Sequence, residues 1–233
     1  MNGNETHIHA CSRGTNKSCV SLVPIFNHLE NEHMEEIMKV VESVSYKKGE
    51  ILYRAGDPSD SLYIVYKGEI KIYRLSESGK EKLVRLLVPG NFTGELALFN
   101  ETLHEAYAEA TKETQVCIIK RAKLQELLMK YPSISLKILN EFSVRLELSE
   151  KQAARFATEK VETRLALFLA ECLNNHQSNE IVLPMSKKDL ASYLGTTPET
   201  ISRKLTHLEN QGYIKQKAHK RIEIVDLDGL LLI

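Results

Sequence analysis

The chain lacks net charge: 31 Lys and Arg stand against 31 Asp and Glu over 233 residues. A neutral protein is not a general polyanion binder, so any contact with nucleic acid has to come from a local basic patch. No apolar run approaches the ~20 residues that a membrane-spanning helix needs. The N-terminal stretch "MNGNETHIHACSRGTNKSC" is polar and has no apolar centre of the kind a signal peptide carries. A cytoplasmic protein with no membrane partner is expected. Cysteine is sparse, with Cys11, Cys19, Cys117 and Cys172 alone. In a reducing compartment such residues are buried, metal-binding or redox-active rather than structural disulfides. A catalytic constellation is missing as well. There is no Gly-rich nucleotide loop, and no Cys or Ser stands beside a plausible base. An enzyme is not expected.

What is present divides along the chain. The length allows one large or two modest domains. "NEHMEEIMKVVES" places Met34, Ile37, Val40 and Val41 at helical spacing. From Lys47 the pattern changes to alternation through Leu62, Ile64 and Tyr66, then Ile70 and Ile72, then Leu83 and Val84. Gly49, Gly56, Gly68, Gly79 and Gly90 punctuate it about every ten residues, the spacing of short strands in an all-β sandwich or barrel. The strand region ends near Ile119, and helical periodicity returns at Lys123–Lys130. After Pro132, Leu139, Phe142, Leu146, Ser149, Ala153 and Phe156 recur at alternating steps of three and four. This is a heptad seam with one polar position, predicting a long helix that pairs with a second copy of the chain, Ser149 helping to fix register. The competing reading is a helix packed on its own domain.

From Val161 helices dominate. "SKKDLASYLG" has Ser186 as N-cap, Asp189 in the first turn and Gly195 closing it. "TTPETISRKL" follows, with Thr197 as N-cap and Pro198 at the first helical position, where its missing N–H costs nothing. Ile201, Leu205 and Leu208 form one buried stripe, leaving Glu199, Thr200, Ser202, Arg203 and Thr206 facing away. Two capped helices joined by a short Gly turn are a helix-turn-helix. Gly212 ends the second helix, and "YIKQKAHKRIEIV" predicts a basic hairpin, the wing of a winged unit. In such a unit the start of the second helix enters the DNA major groove. There Arg reads guanine, Glu accepts from cytosine, and Ser and Thr bond bases or touch the thymine methyl. Residues 187–221 hold eight basic and three acidic side chains, a local charge of +5 in a neutral chain. Phosphate contact needs such an excess, and Lys217 in the wing is a candidate for it.

Three separated stretches, "KKGEILYRAGDPSDSLYIVYKGEIKIY", "PGNFTGELALF" and "LASYLGTTPETISRKLTHLENQGYI", resemble the CRP/FNR family of bacterial transcription regulators, in the family's order. The resemblance covers nearly the whole chain. It implies an α+β protein: an N-terminal jelly-roll domain of the cyclic-nucleotide-binding type, a long dimerisation helix and a C-terminal winged helix-turn-helix. The expected divisions are a Cys/His-containing tail at 1–20, an effector-sensing roll at 21–131, the dimerisation helix at 132–158 and the DNA-binding unit at 159–233. It further implies binding of double-stranded DNA as a homodimer, and RNA polymerase as a partner. Glu199, Ser202 and Arg203 resemble the FNR branch, which reads TTGA-like half-sites. The CRP branch carries an Arg where this chain has Pro198.

The resemblance leaves the signal open. Gly94, Glu95 and Leu96 mark the family's effector pocket, but its phosphate-holding Arg-Ser pair falls on His104, Glu105 and Ala106. No Arg or Lys lies between Asn91 and Thr111, so a phosphate would lack its bidentate partner and meet Glu105 instead. On this reading cAMP is not expected. Cys19 and Cys117 resemble cysteine positions of FNR-type sensors, with Cys11 a third. Those sensors carry a denser N-terminal cluster, and a cubane iron–sulfur cluster uses four thiolates. The resemblance therefore admits a cluster completed by His7 or His9, a reversible Cys19–Cys117 disulfide as in some Gram-positive relatives, or no cofactor at all; the residues themselves also allow zinc on His7, His9, Cys11 and a fourth ligand. A further alternative is a regulator controlled by a small, cyclic-nucleotide-like ligand, with structural cysteines. Cys172, on an apolar helical stripe, is expected to be a core thiol.

Overall fold

A computed structural model describes residues 8–10, 19–99, 101–173 and 178–233. The chain forms two compact units, Met1–Arg145 and Leu146–Ile233. The first opens with strand β1 (Ile8–Ala10), the short helix α1 (Cys19–Leu22) and α2 (Asn31–Met38). The strands that follow are β2 (Glu42–Tyr46), β3 (Ile51–Tyr53), β4 (Pro58–Ser59), β5 (Ser61–Lys67), β6 (Ile70–Leu75) and β7 (Glu81–Leu87). Then come β8 (Phe92–Thr93), a 3-10 turn at Glu95–Leu98, β9 (Thr102–Leu103), β10 (Tyr107–Ala110) and β11 (Thr114–Lys120). Helix α3 (Arg121–Lys130) leads into the long α4 (Pro132–Thr158).

The strands build a five-stranded sheet, β1-β2-β11-β5-β8, a four-stranded sheet, β3-β10-β6-β7, and a β4-β9 pair. Neighbours are antiparallel, with Val116 opposite Val65 and Cys117 opposite Ile64. Alternate residues of a strand face opposite sides of the sheet, and here both sides are buried. Val44, Val65 and Val116 join Ile70, Ile72, Leu87 and Ala108 in a core drawn from both sheets. Leu62, Ile64, Phe92, Cys117 and Ile119 pack instead under Val20, Phe26, Ile37, Leu124, Ile134 and Ile138 of the helical segments. Burying both faces explains why β5 and β11 carry unbroken runs, Leu62–Tyr66 and Val116–Ile119, in place of alternation.

Two expectations shift. Val40 and Val41 do not continue α2: the helix stops at Met38, and the β-branched run feeds β2. The N-terminal segment also contributes β1, which lies along β2 with Ile8 opposite Val44, His9 opposite Ser43 and Ala10 opposite Glu42. Three residues are too few to show a period.

The second unit contains α5 (Val161–Leu173), β12 (Glu180–Val182), α6 (Lys187–Tyr193), α7 (Pro198–Asn210), β13 (Ile214–Gln216), β14 (Arg221–Ile224) and α8 (Leu227–Leu231). Leu165, Leu169, Ile181, Leu190, Ile201, Leu205, Leu208, Ile222 and Leu230 are buried in it. The caps are those expected: Ser186 Oγ accepts from the Asp189 N–H at 3.1 Å, and Thr197 Oγ1 from the Thr200 N–H at 3.3 Å. Gly195 joins α6 to α7 with φ +68, and the Phe156 ring packs where a side chain would stand. Strands β13 and β14 form the wing, with β12 beside β14.

On α4, Ile134 and Ile138 are buried, whereas Leu139 is 56% and Leu146 60% exposed. Leu136, Val144 and Leu148 are exposed too.

Candidate nucleic-acid interface and effector roll

Helix α7 buries Ile201, Leu205 and Leu208 and turns Glu199, Arg203 and Thr206 fully outward. Thr200 and Ser202 lie half-exposed on the flanks, and Thr197 is exposed at the cap. Backbone hydrogen bonding at the helix start, and then the Thr197 hydroxyl, hold the Glu199 carboxyl below the usual carboxylate range. The Thr206 hydroxyl donates to the Ser202 carbonyl at 3.2 Å. Arg203 has no ion-pair partner among the described residues, which leaves its fork of donors open. The structure thus gathers the six α7 and cap residues singled out in the sequence onto one end and one face of the helix.

Lys217 is placed differently. It lies between Glu180 at 2.8 Å and Glu223 at 2.9 Å, and its hydrogen bonds to them raise its pKa. Its charge is already matched across the three-stranded sheet. Lys188, Lys215 and Lys220 are exposed and have no ion-pair partner among the described residues. Pairing of a wing lysine across strands cannot be read from spacing alone, because it needs the register of β12 against β14.

In the roll, Gly94 takes φ +84, where a Cβ would collide with the Ser61 carbonyl oxygen. That turn delivers Glu95 inward and leaves Leu96 62% exposed. Glu95 Oε1 receives Arg145 of α4 at 2.6 Å and Arg85 of β7 at 3.3 Å. The Arg145 guanidinium also lies 4.2 Å over the Phe92 ring and donates to the Phe92 carbonyl. Glu95 Oε2 is buried without a hydrogen-bond partner. These two arginines come from a strand and a helix distant in sequence, so spacing alone does not bring them to Glu95. Glu105 does not join Glu95: it is exposed and paired with Arg74 at 2.5 Å. His104 turns inward, stacked on Tyr53 at 3.6 Å, and burial lowers its pKa. Tyr53 donates to or accepts from Thr93 at 2.8 Å, and burial pushes its phenol up to about 12. Ala106 packs against the inter-sheet core.

Of the sensing residues, His7 and Cys11 lie outside the described residues. His9 is described as a backbone position of β1 and Cys19 as the first residue of α1, their side chains lying outside the description. Cys117 is 1% exposed, opposite Ser43, which is itself opposite His9 in the next strand. Among the described residues no group of three or more His, Cys, Asp or Glu could hold a metal ion. Cys172 is half-buried in α5, and burial pushes its thiol up to about 11, as fits a packing residue.

Comparison with known proteins agrees with this architecture. Residues 43–131 match the cyclic nucleotide-binding domain, and residues 163–233 match the Crp-like helix-turn-helix domain. The probable transcriptional regulator flp of Lacticaseibacillus casei is 32% identical over 213 residues, spanning 91% of this chain and 96% of that one. The anaerobic regulatory protein of Haemophilus influenzae is 30% identical over 87% of this chain and 80% of its own. The structure of FixK2 from Bradyrhizobium japonicum superposes with a TM-score of 0.72 at 28% identity, over 82% of this chain and 96% of that one. A roll of the effector-binding type followed by this helix-turn-helix defines a DNA-binding transcription regulator, not an enzyme. The chain belongs to the CRP/FNR family. No helix among its described residues is long and apolar enough to cross a membrane.

Proposed function

We propose that the protein binds, as a homodimer in the cytoplasm, a pseudo-palindromic DNA site with TTGA-like half-sites, and that the redox state of its cysteines sets the affinity. RNA polymerase is the downstream partner in this reading. The observation that carries it is α7, an N-capped helix presenting Glu199, Ser202 and Arg203, the guanidinium having no ion-pair partner among the described residues. Dimerisation is supported by the exposed leucines of α4. Redox control is supported by Cys117 packing in the same core as Val20, the residue after Cys19. Relatives named for anaerobic regulation favour the same kind of signal. A second reading, control by a small ligand in the roll, is favoured by two buried polar atoms that have no hydrogen-bond partner among the described residues, Glu95 Oε2 and His104 Nε2.

The test of DNA reading is Arg203→Ala, assayed by fluorescence anisotropy against a set of single-base variants of the selected site. Loss of about 1–3 kcal/mol with relaxed preference at one guanine is expected. Equal loss on every sequence would show that Arg203 touches only phosphate.

A further inference from the structure

The geometry points to Glu162 as a specificity-determining residue: it holds Lys204 away from the DNA phosphates, so that α7 binds chiefly through the side chains that read bases. The inference rests on α7 being the reading helix. Glu162 stands in the first turn of α5, where the positive helix end favours a carboxylate. Its side chain is only 15% exposed and reaches α7 at two points. Oε2 accepts from Lys204 Nζ at 2.7 Å, and Oε1 lies 3.4 Å from His207 Nε2. Oε1 is buried and has no hydrogen-bond donor. Lys204 is 28% exposed, so this pair is shielded from solvent far more than a surface ion pair.

Lys204 directly follows Arg203, about 100° further around the helix. A helix about 10–12 Å across fills a major groove about 12 Å wide, so its flanks run beside both phosphate backbones. Lys204 stands at the edge of the buried stripe, one turn from Ile201 and Leu208, and freed of Glu162 its long side chain would extend outward along the flank to phosphate on any sequence. Each such contact strengthens binding without reading bases and steepens the salt dependence, log K against log salt, by about 0.9. Glu162 removes that contact by pairing Lys204 within the protein.

The experiment measures affinity of the full-length protein for its selected duplex and for a shuffled duplex across a salt series. Lys204→Gln in the parent is expected to leave the salt slope unchanged on both duplexes. Glu162→Gln is expected to steepen it by about 0.9 and to tighten binding to the shuffled duplex several-fold, lowering the specificity ratio. Adding Lys204→Gln to Glu162→Gln should restore the parental slope. A slope that falls by about 0.9 in Lys204→Gln alone would show Lys204 already on phosphate and overturn the proposal. So would an unchanged slope in a Glu162→Gln variant that melts like the parent. If Glu162→Gln does not fold, Glu162→Ser, whose shorter side chain cannot reach Lys204, carries the same expectation and the same overturning result. Arg203→Ala, run alongside, tests the underlying reading separately: equal loss on both duplexes would show that Arg203 touches only phosphate and withdraw the base reading on which the inference rests.

Discussion

His104 shows how a single residue can depart from its family's pattern and gain a different physical role. Where relatives are expected to hold a phosphate, this chain buries an imidazole against Tyr53 and Tyr63. Burial lowers its pKa below 6.5, outweighing the smaller upward pull of Asp57, Asp60 and Glu95. The unfolded chain therefore takes up a proton near pH 6.5 that the folded roll refuses. Stability from this group is complete above pH 6.5 and is lost as pH falls through 6.5 toward the depressed folded value. His28, also lowered chiefly by burial, adds an effect of the same sign. The expected outcome is a thermal midpoint that drops between pH 7 and pH 5 by more in the parent than in His104→Gln. Equal drops in differential scanning calorimetry would show that His104 titrates like a solvent-exposed imidazole. The residue scale was only partly legible in sequence. The absence of Arg or Lys between Asn91 and Thr111 was visible. That Arg85 and Arg145 bring two positive charges to Glu95 was not, because proximity across 10 and 50 residues comes from folding.

At the scale of elements, the caps, the α6–α7 turn, the wing and the long helix were readable, since each has a local chemical cause: a Ser or Thr side-chain acceptor, a Gly with positive φ, a repeat of three and four. Strands β1, β4, β8 and β9 were not, because two or three residues show no alternation. The seam on α4 also divides by its surroundings. Phe142 is half-buried and packs edge-on against Phe99 at 5.8 Å, so a charge placed there would disturb the roll as well as any partner. Leu139 and Leu146 are the cleaner probes, being more than half exposed. A charge at either would sit opposite itself across a two-fold seam and oppose association. Leu139→Glu and Leu146→Glu should leave the melting of the roll close to that of the parent and shift the protein to monomer in analytical ultracentrifugation. A dimer of parental strength in both variants would place the interface elsewhere.

For the whole molecule, the order of roll, long helix and helix-turn-helix was legible because three separated motifs occur in sequence; the signal was not, because its candidate residues sit mostly in the polar N-terminal segment. The redox reading makes one demand on the complete chain. Oxidation of Cys19 and Cys117 would release two protons and pass two electrons to an oxidant such as diamide, joining the start of α1 to β11. Helix α1 already buries Val20 beside Cys117, and Ile134 and Ile138 of α4 belong to the same core. A bond at that point therefore strains or tightens packing against the helix proposed to pair two copies. The two α7 helices of a dimer must enter successive major grooves ~34 Å apart, so a small change along that route alters DNA affinity. Affinity for the selected duplex should differ between dithiothreitol and diamide in the parent, and the difference should vanish in Cys19→Ser and in Cys117→Ser. Cys172→Ser should respond like the parent, since burial keeps that thiol protonated and unreactive. If the parent binds equally well in both conditions and carries no metal, Cys117 is a packing residue, and the unpaired atoms of Glu95 and His104 become the place to look for a ligand.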